Sequence, residues 1–409
     1  MAEAPKSYRQ ESGAAEPGLS GASQPHAVAR SGQDLERTWE ALAAPVRDAT
    51  PKKKAPRLAF IDWTRGIAAF TMLQGHSFHS FTRNDLRNAG PYILSQFFGG
   101  EAPALFLFIT GITFAFLMDS RERQGLTAYE RVKAAFRRSG YLFGLAFLFR
   151  ISLFLLGYPG SPASELLRVD ILNCMGMATL LLAPMAVFST LDRIRLCTIL
   201  GVIISALSPL ISQIGNNGLP WLVQAYFVPS FNYFSFFPWA AFLAFGMAAG
   251  SVFRLVKTED MGKVMQWMML IGLGLVVGGQ YFSGLPYSVY TKSEYWLDSP
   301  GLAAIKLGAA MAIMAFAWVW ANGAIAHRWS LLRQLGTTSL LVYWVHIELV
   351  YGRWFGIWKE SLTLSQVTIF SIVLIALMTA LSIARTRWKT PGSFFRSTPV
   401  PTPGRASGD

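Results

Sequence analysis

Cysteine is nearly missing from this chain, with two among 409 residues. Both, Cys174 and Cys197, sit inside apolar runs, which excludes a disulfide framework and a cysteine-built zinc centre, and no metal site is expected. Charge is equally scarce: 14% of residues are Asp, Glu, Lys or Arg, where an average soluble chain carries about a quarter. Such a chain is unsuited to water. The net charge of +13 does not reverse that reading, because the Lys and Arg residues fall between apolar runs and not on a candidate soluble domain. Nucleic acid is therefore excluded as a partner. Residues 1–45 contain no apolar stretch of the kind a cleavable signal needs, so the first spanning helix is expected to serve as its own insertion signal. No repeat of solenoid type is present.

What is abundant is hydrophobic sequence, 52% of the chain. From about Leu58 onward, apolar runs near the ~20 residues needed to cross a bilayer recur, separated by short polar loops. Ten spans are expected, at 58–81, 102–118, 139–158, 169–189, 194–214, 236–255, 264–282, 301–321, 338–351 and 364–384. Lys52, Lys53, Lys54 and Arg57 precede the first, as expected on a cytoplasmic side. Placing the N-terminus there puts most Lys and Arg on the cytoplasmic face, above all in the loop 119–138 with Arg121, Arg123, Arg131, Lys133, Arg137 and Arg138. The expected fold is thus an all-α integral membrane protein, about ten transmembrane helices around a central polar cavity, in the cytoplasmic membrane with both termini cytoplasmic. Residues 1–56 read as a disordered basic tail, 57–385 as the membrane domain and 386–409 as a second disordered tail. The outer segment 216–235, aromatic and carrying Pro220 and Pro229, reads as an interfacial or re-entrant cap.

A charged group at the centre of a membrane helix costs roughly 2.5 to 3.5 kcal/mol, so such groups face a cavity or a partner. In the first span Asp62, Arg65 and His76 project within about 60° of one another. Asp62 and Arg65, three apart, can pair, and His76 lies about 16 Å further along the axis. A purely structural pair would leave His76 and His79 unexplained, whereas a cavity-facing imidazole is a natural general base. Glu101, Asp170 and Asn173, and His346 with Glu348, open or close neighbouring spans at the same outer depth. Glu101 and Asp170 are expected to orient the imidazole, and Glu348 to be solvated at the interface. Arg150, near mid-membrane in the third span, requires an anion, which Asp62 could supply. A second buried cation beside Arg65 suggests a phosphorylated or carboxylate-bearing ligand entering from inside, past Arg121, Arg137 and Arg138.

Arg65 followed by ten residues and His76, within Ile61-Asp62-Trp63-Thr64-Arg65-Gly66-Ile67-Ala68, resembles the signature of membrane acyltransferases. Two groups fit: the acyltransferase-3 group, and the bacterial group similar to the catalytic domain of heparan-alpha-glucosaminide N-acetyltransferase. For the second, the supporting strings are Phe106-Leu107-Phe108-Ile109-Thr110-Gly111, Val169-Asp170-Ile171-Leu172-Asn173-Cys174-Met175-Gly176, and Leu335-Gly336-Thr337-Thr338-Ser339-Leu340-Leu341-Val342-Tyr343-Trp344-Val345-His346. The resemblance runs through Ala186 and returns in the ninth span; 188–333 matches only as hydrophobic helices. It implies acyl-CoA, with acetyl-CoA as the specific expectation, arriving from the cytoplasm as co-substrate. It also implies a glycan or glycolipid acceptor and His76 as base with Arg65 as its motif partner. The lysosomal relatives place their histidine beyond the first helix, so His79 remains a rival. Arg65, Arg150, Arg121, Arg137 and Arg138 are then expected to hold the CoA, and Asn173, Tyr343 and His346 to line the cavity. A homodimer is a further expectation. The competing class is a secondary transporter, in which buried Arg, Asp and His residues form a substrate and proton site.

Overall fold

The computed structural model describes residues 58–157, 159–214, 218–323 and 329–389. The basic cluster at 52–57, the expected first tail 1–56, residues 390–409 of the expected second tail, and the histidines at 26 and 327 lie outside these residues. Residues 386–389, expected to open the second tail, instead complete the last helix.

The described chain is built of helices. In order they are α1 (Ala59–Phe81), α2 (Gly90–Gly99), α3 (Ala102–Arg123), α4 (Ala128–Gly157), α5 (Ile171–Leu182), α6 (Thr190–Ile214), α7 (Trp221–Phe227), α8 (Phe236–Leu255), α9 (Met261–Ser283), α10 (Pro300–Asn322), α11 (Leu331–Thr337), α12 (Ser339–Tyr351) and α13 (Leu364–Lys389). Among the described residues, eight segments are long and apolar enough to cross a membrane, and the protein is an all-α integral membrane protein. The other two expected spans are also helical. One is α1, which carries Asp62, Arg65 and two imidazoles. The other is α12, whose 13 residues rise only about 20 Å, short of the ~30 Å hydrocarbon layer.

Local chemistry sets several boundaries. Asp170 and Asn173 form a capping box that starts α5, each satisfying a backbone N–H at the helix entry. Ser299 caps α10, with Pro300 at its first turn, where a missing N–H costs nothing. α1 stops where Thr82 turns extended and pairs with Leu362, tying the end of α1 to the entry of α13. Between α11 and α12 the chain breaks at Thr338, which leaves helical geometry while its hydroxyl meets Ser382 of α13 at 2.5 Å.

One sequence expectation is overturned at 119–138. Only residues 124–127 connect α3 to α4, and the basic residues ride on helices. Asp119 and Glu122, one helical turn apart, hold two of them and two arginines from elsewhere: Asp119 pairs with Arg123 at 3.0 Å and Arg254 at 2.6 Å, and Glu122 with Arg131 and Arg193 at 3.3 Å. These two carboxylates tie the C-terminal end of α3 to arginines of α4, α6 and α8.

Two cores result. The larger centres on α3, α5, α8 and α10 with Leu105, Phe108, Ile112, Phe242 and Met314 fully buried or nearly so. A smaller one joins α1 to α12 and α13 through Leu73, Phe81, Val342 and Met378. At the other end of α1, backbone meets backbone. A Cβ on Gly336 of α11 would lie 1.8 Å from the Asp62 carbonyl oxygen, and one on Gly66 1.8 Å from that of Leu332. Such approaches admit only glycine, the usual device for close helix contact in a membrane. Gly336→Ala is therefore expected to destabilise the protein by about 1–3 kcal/mol, the range for overpacking. Gly144→Ala, where nothing lies within 4 Å, should be neutral. Thermal denaturation of the two variants in detergent checks this contrast.

Candidate active site

Along its length α1 presents Arg65, Met72, His76 and His79 to one cavity of about 980 Å³. The remaining walls come from α3, α4, α5 and the segment before it, Asn232 and Phe234 ahead of α8, and α12 with the residues just after it. On α4 the lining runs from Arg138 to Gly157, a rise of about 29 Å. The cavity therefore reaches nearly the thickness of a hydrocarbon layer. Position along α1 is fixed by packing on its other faces, since Gly75 touches Gly99 of α2 so closely that a Cβ on either would meet the other's Cα at 2.6 Å. The residue after Gly75 is His76.

His76 does not stand alone. Its Nδ1 lies 3.0 Å from Nε2 of His346, and the two rings are stacked 14° from parallel. His346 is fully buried, and its Nδ1 lies 2.8 Å from the carbonyl oxygen of Val342, one turn earlier in α12. A carbonyl can only accept, so Nδ1 of His346 carries the proton; with neutral rings its Nε2 is then an acceptor. The Nδ1–H of His76 must donate to it. That leaves the lone pair of His76 on Nε2, an atom for which the described residues supply no hydrogen-bond partner, in a side chain that lines the cavity. Tyr351 packs edge-on against this ring at 5.3 Å.

The carboxylates expected to orient His76 are engaged elsewhere. Asp170 accepts from the backbone N–H groups of Leu172 and Asn173 at 2.9 and 3.1 Å, and its other oxygen faces Nε of Arg150 at 3.2 Å. Arg150 also meets Glu165 at 3.6 Å. The anion for Arg150 is thus Asp170 with Glu165, not Asp62. Asn173 accepts from the Asp170 N–H and donates to the Tyr226 hydroxyl at 3.2 Å, so it closes the cap of α5 and holds α7, the short helix in the expected outer cap, without lining the cavity. Glu101 begins α3, buried, and its charged neighbour is Lys306 of α10, whose ammonium also reaches the carbonyl of Gly100. The side chain that does meet the His76 ring within hydrogen-bond distance is His346, which the sequence placed only among cavity residues.

Asp62 and Arg65 do pair, at 3.7 Å. Arg65 lines the cavity, with Asp62 buried behind it. Arg138 also lines that end and lies over the Tyr141 ring at 5.6 Å. Arg121 bonds Gln124 at 3.4 Å and Arg137 is exposed; neither belongs to the lining. Tyr343 and His79 do. At the opposite mouth Arg87 donates to the His79 carbonyl and to Glu360. There Asn84, by a hydrogen bond, and the Arg87 charge hold the exposed Glu360 carboxyl below its usual range. Glu348, expected at a solvated interface, is instead 7% exposed and lines the cavity.

A membrane-embedded chamber with a lone-pair-bearing imidazole midway and guanidinium groups toward one end is suited to proton transfer from an acceptor beside an anionic co-substrate. Residues 57–281 match the family described as heparan-alpha-glucosaminide N-acetyltransferase, catalytic, and over this majority of its length the chain belongs to that family. It is accordingly a multi-pass membrane protein of the acetyltransferase class. The match continues through the stretch from 188 that had read only as hydrophobic helices, and it ends before α12, so His346 lies beyond it. No curated protein matches the chain.

Proposed function

We propose that this protein transfers an acetyl group from cytoplasmic acetyl-CoA to an amine or hydroxyl of an extracytoplasmic glycan or glycolipid. The observation that carries the reading is the relay from the Val342 carbonyl through His346 to His76, which leaves the basic Nε2 of His76 in a chamber with Arg65 and Arg138 at one end. In the orientation with both termini cytoplasmic, those arginines sit on the CoA side and suit its phosphates. The thioester then lies beside His76 and the acceptor enters from the His79 mouth. The acceptor's nitrogen or oxygen attacks the thioester carbonyl carbon while Nε2 takes its proton; the C–S bond breaks, and the proton passes to the departing CoA sulfur. An acyl group carried briefly on His76 is the two-step variant. Arg150, saturated by Asp170 and Glu165, holds the wall and not the phosphates.

Mass spectrometry of envelope glycans from a deletion strain tests this. Loss of one acetyl substituent, restored by the wild-type gene, is the expected result; an unchanged acyl profile would sink the proposal.

A further inference from the structure

A groove between α12 and α13 stands apart from the catalytic chamber. Its volume is about 510 Å³, and its apolar walls are Leu341 and Trp344 of α12 with Leu381, Ala384 and Trp388 of α13. Only Leu340 is shared with the chamber lining. Contacts outside the groove hold both walls. The Gln334 amide donates to the hydroxyls of Ser382 at 2.9 Å and Thr386 at 3.2 Å, fixing α13 against α11, and the Trp344 indole packs edge-on against Phe149 of α4 at 5.2 Å. The space between the walls is therefore preformed.

One charge interrupts this apolar lining. Arg385 completes the stripe of α13 that faces the groove, with Leu381, Ala384 and Trp388 at the i, i+3, i+4, i+7 spacing of one helix face. Arg123, Arg131, Arg193 and Arg254 each meet a carboxylate. Arg385 has neither an ion pair nor a hydrogen bond among the described residues, and no acid belongs to the lining. It lies one turn from the end of α13 at Lys389, with Trp388 beyond it at the level where aromatic side chains meet headgroups. In the orientation with both termini cytoplasmic, that level is the inner leaflet, whose anionic lipids attract cationic side chains.

We propose that the groove between α12 and α13 binds an anionic phospholipid of the inner leaflet, its phosphodiester on the Arg385 guanidinium and one acyl chain along Leu341, Trp344 and Leu381. A planar guanidinium matches the paired phosphate oxygens. A zwitterionic headgroup would bring a cation for which the lining offers no acid, so the preference is for net negative charge. This site does not depend on the acetyl-transfer reading.

Native mass spectrometry of the purified full-length protein, stripped of lipid in detergent and titrated with dioleoyl phosphatidylglycerol or dioleoyl phosphatidylcholine, tests the proposal. Wild type should bind the first phosphatidylglycerol about 5- to 10-fold more tightly than the first phosphatidylcholine, the worth of one cationic side chain at a charged membrane surface. Arg385→Gln should abolish that preference and leave phosphatidylcholine binding as it was, whereas Arg385→Lys should keep most of it. Ala384→Phe, whose ring fills the groove, should weaken both lipids. Equal affinity of wild type for the two lipids, or a preference that survives Arg385→Gln, would overturn the proposal. So would lipid binding indifferent to Ala384→Phe, the result expected if residues 390–409 of the chain itself occupied the groove.

Discussion

His76→Ala is expected to lower kcat for acetyl transfer by about 10²- to 10⁴-fold, the usual contribution of a positioned general base, with little change in KM for acetyl-CoA. The side chain lines the chamber and its Nδ1 is committed to His346 at 3.0 Å, so the variant deletes the proton acceptor and leaves the guanidinium end intact. His346 should matter almost as much without touching substrate. Its bond to the Val342 carbonyl dictates which nitrogen of His76 is protonated, and His346→Leu frees that ring to turn or change tautomer. Loss of kcat in His346→Leu, partly regained in His346→Gln whose amide oxygen can accept from His76 Nδ1–H, would separate this positioning role from simple packing. A stopped-flow or radiolabel assay of single-turnover transfer distinguishes the variants; full transfer by His76→Ala would refute the assignment and direct attention to His79, at the cavity rim.

Arg150→Met should be the most destabilising of the single cavity substitutions, by about 3–5 kcal/mol, the cost of leaving a buried charge without its partner. The group left behind is Asp170, 5% exposed, whose charge then faces an apolar wall. Asp170→Asn should be milder, because an amide oxygen still caps α5 and Arg150 keeps Glu165 at 3.6 Å. The double variant should recover much of the stability lost in Arg150→Met. Thermal unfolding of the four proteins in detergent gives the coupling energy directly; additive losses would mean that the pair contributes no more than its separate contacts.

Much of this architecture is legible in the sequence, because a membrane leaves few alternatives: runs of apolar residues near 20 long must become helices, and all ten expected spans do. The pairing of Asp62 with Arg65 is legible for the same reason, since three residues on a helix bring side chains to one face. The partners of His76 and Arg150 are not. His346 is 270 residues from His76, and no periodicity within α1 or α12 announces that the two helices meet there. Asp170 had an ambiguous signature, an acid followed three residues later by Asn at the start of an apolar run. It reads equally as a cavity carboxylate or a helix cap, and it is both: one oxygen caps α5 while the other faces Arg150 at the cavity wall. The basic stretch 119–138 misled because composition alone cannot tell arginines in a loop from arginines on helix ends paired with Asp119 and Glu122. Its resemblance to the family was readable from a few short strings, yet the match extends through helices whose likeness is carried by pattern and not by any single motif.

The break at Thr338 has a consequence for how changes spread. Gly336, just before it, is wedged against the backbone at Asp62, while His346, two turns beyond, grips His76. A continuous helix would couple these holds as one lever, so that any tilt relieving a clash at the first would drag the second. Interruption lets each be adjusted separately. Substitutions near Gly66 or Gly336 should therefore alter how the guanidinium of Arg65 is presented and leave the imidazole pair in register, a separation that side-by-side measurement of donor affinity and turnover would reveal.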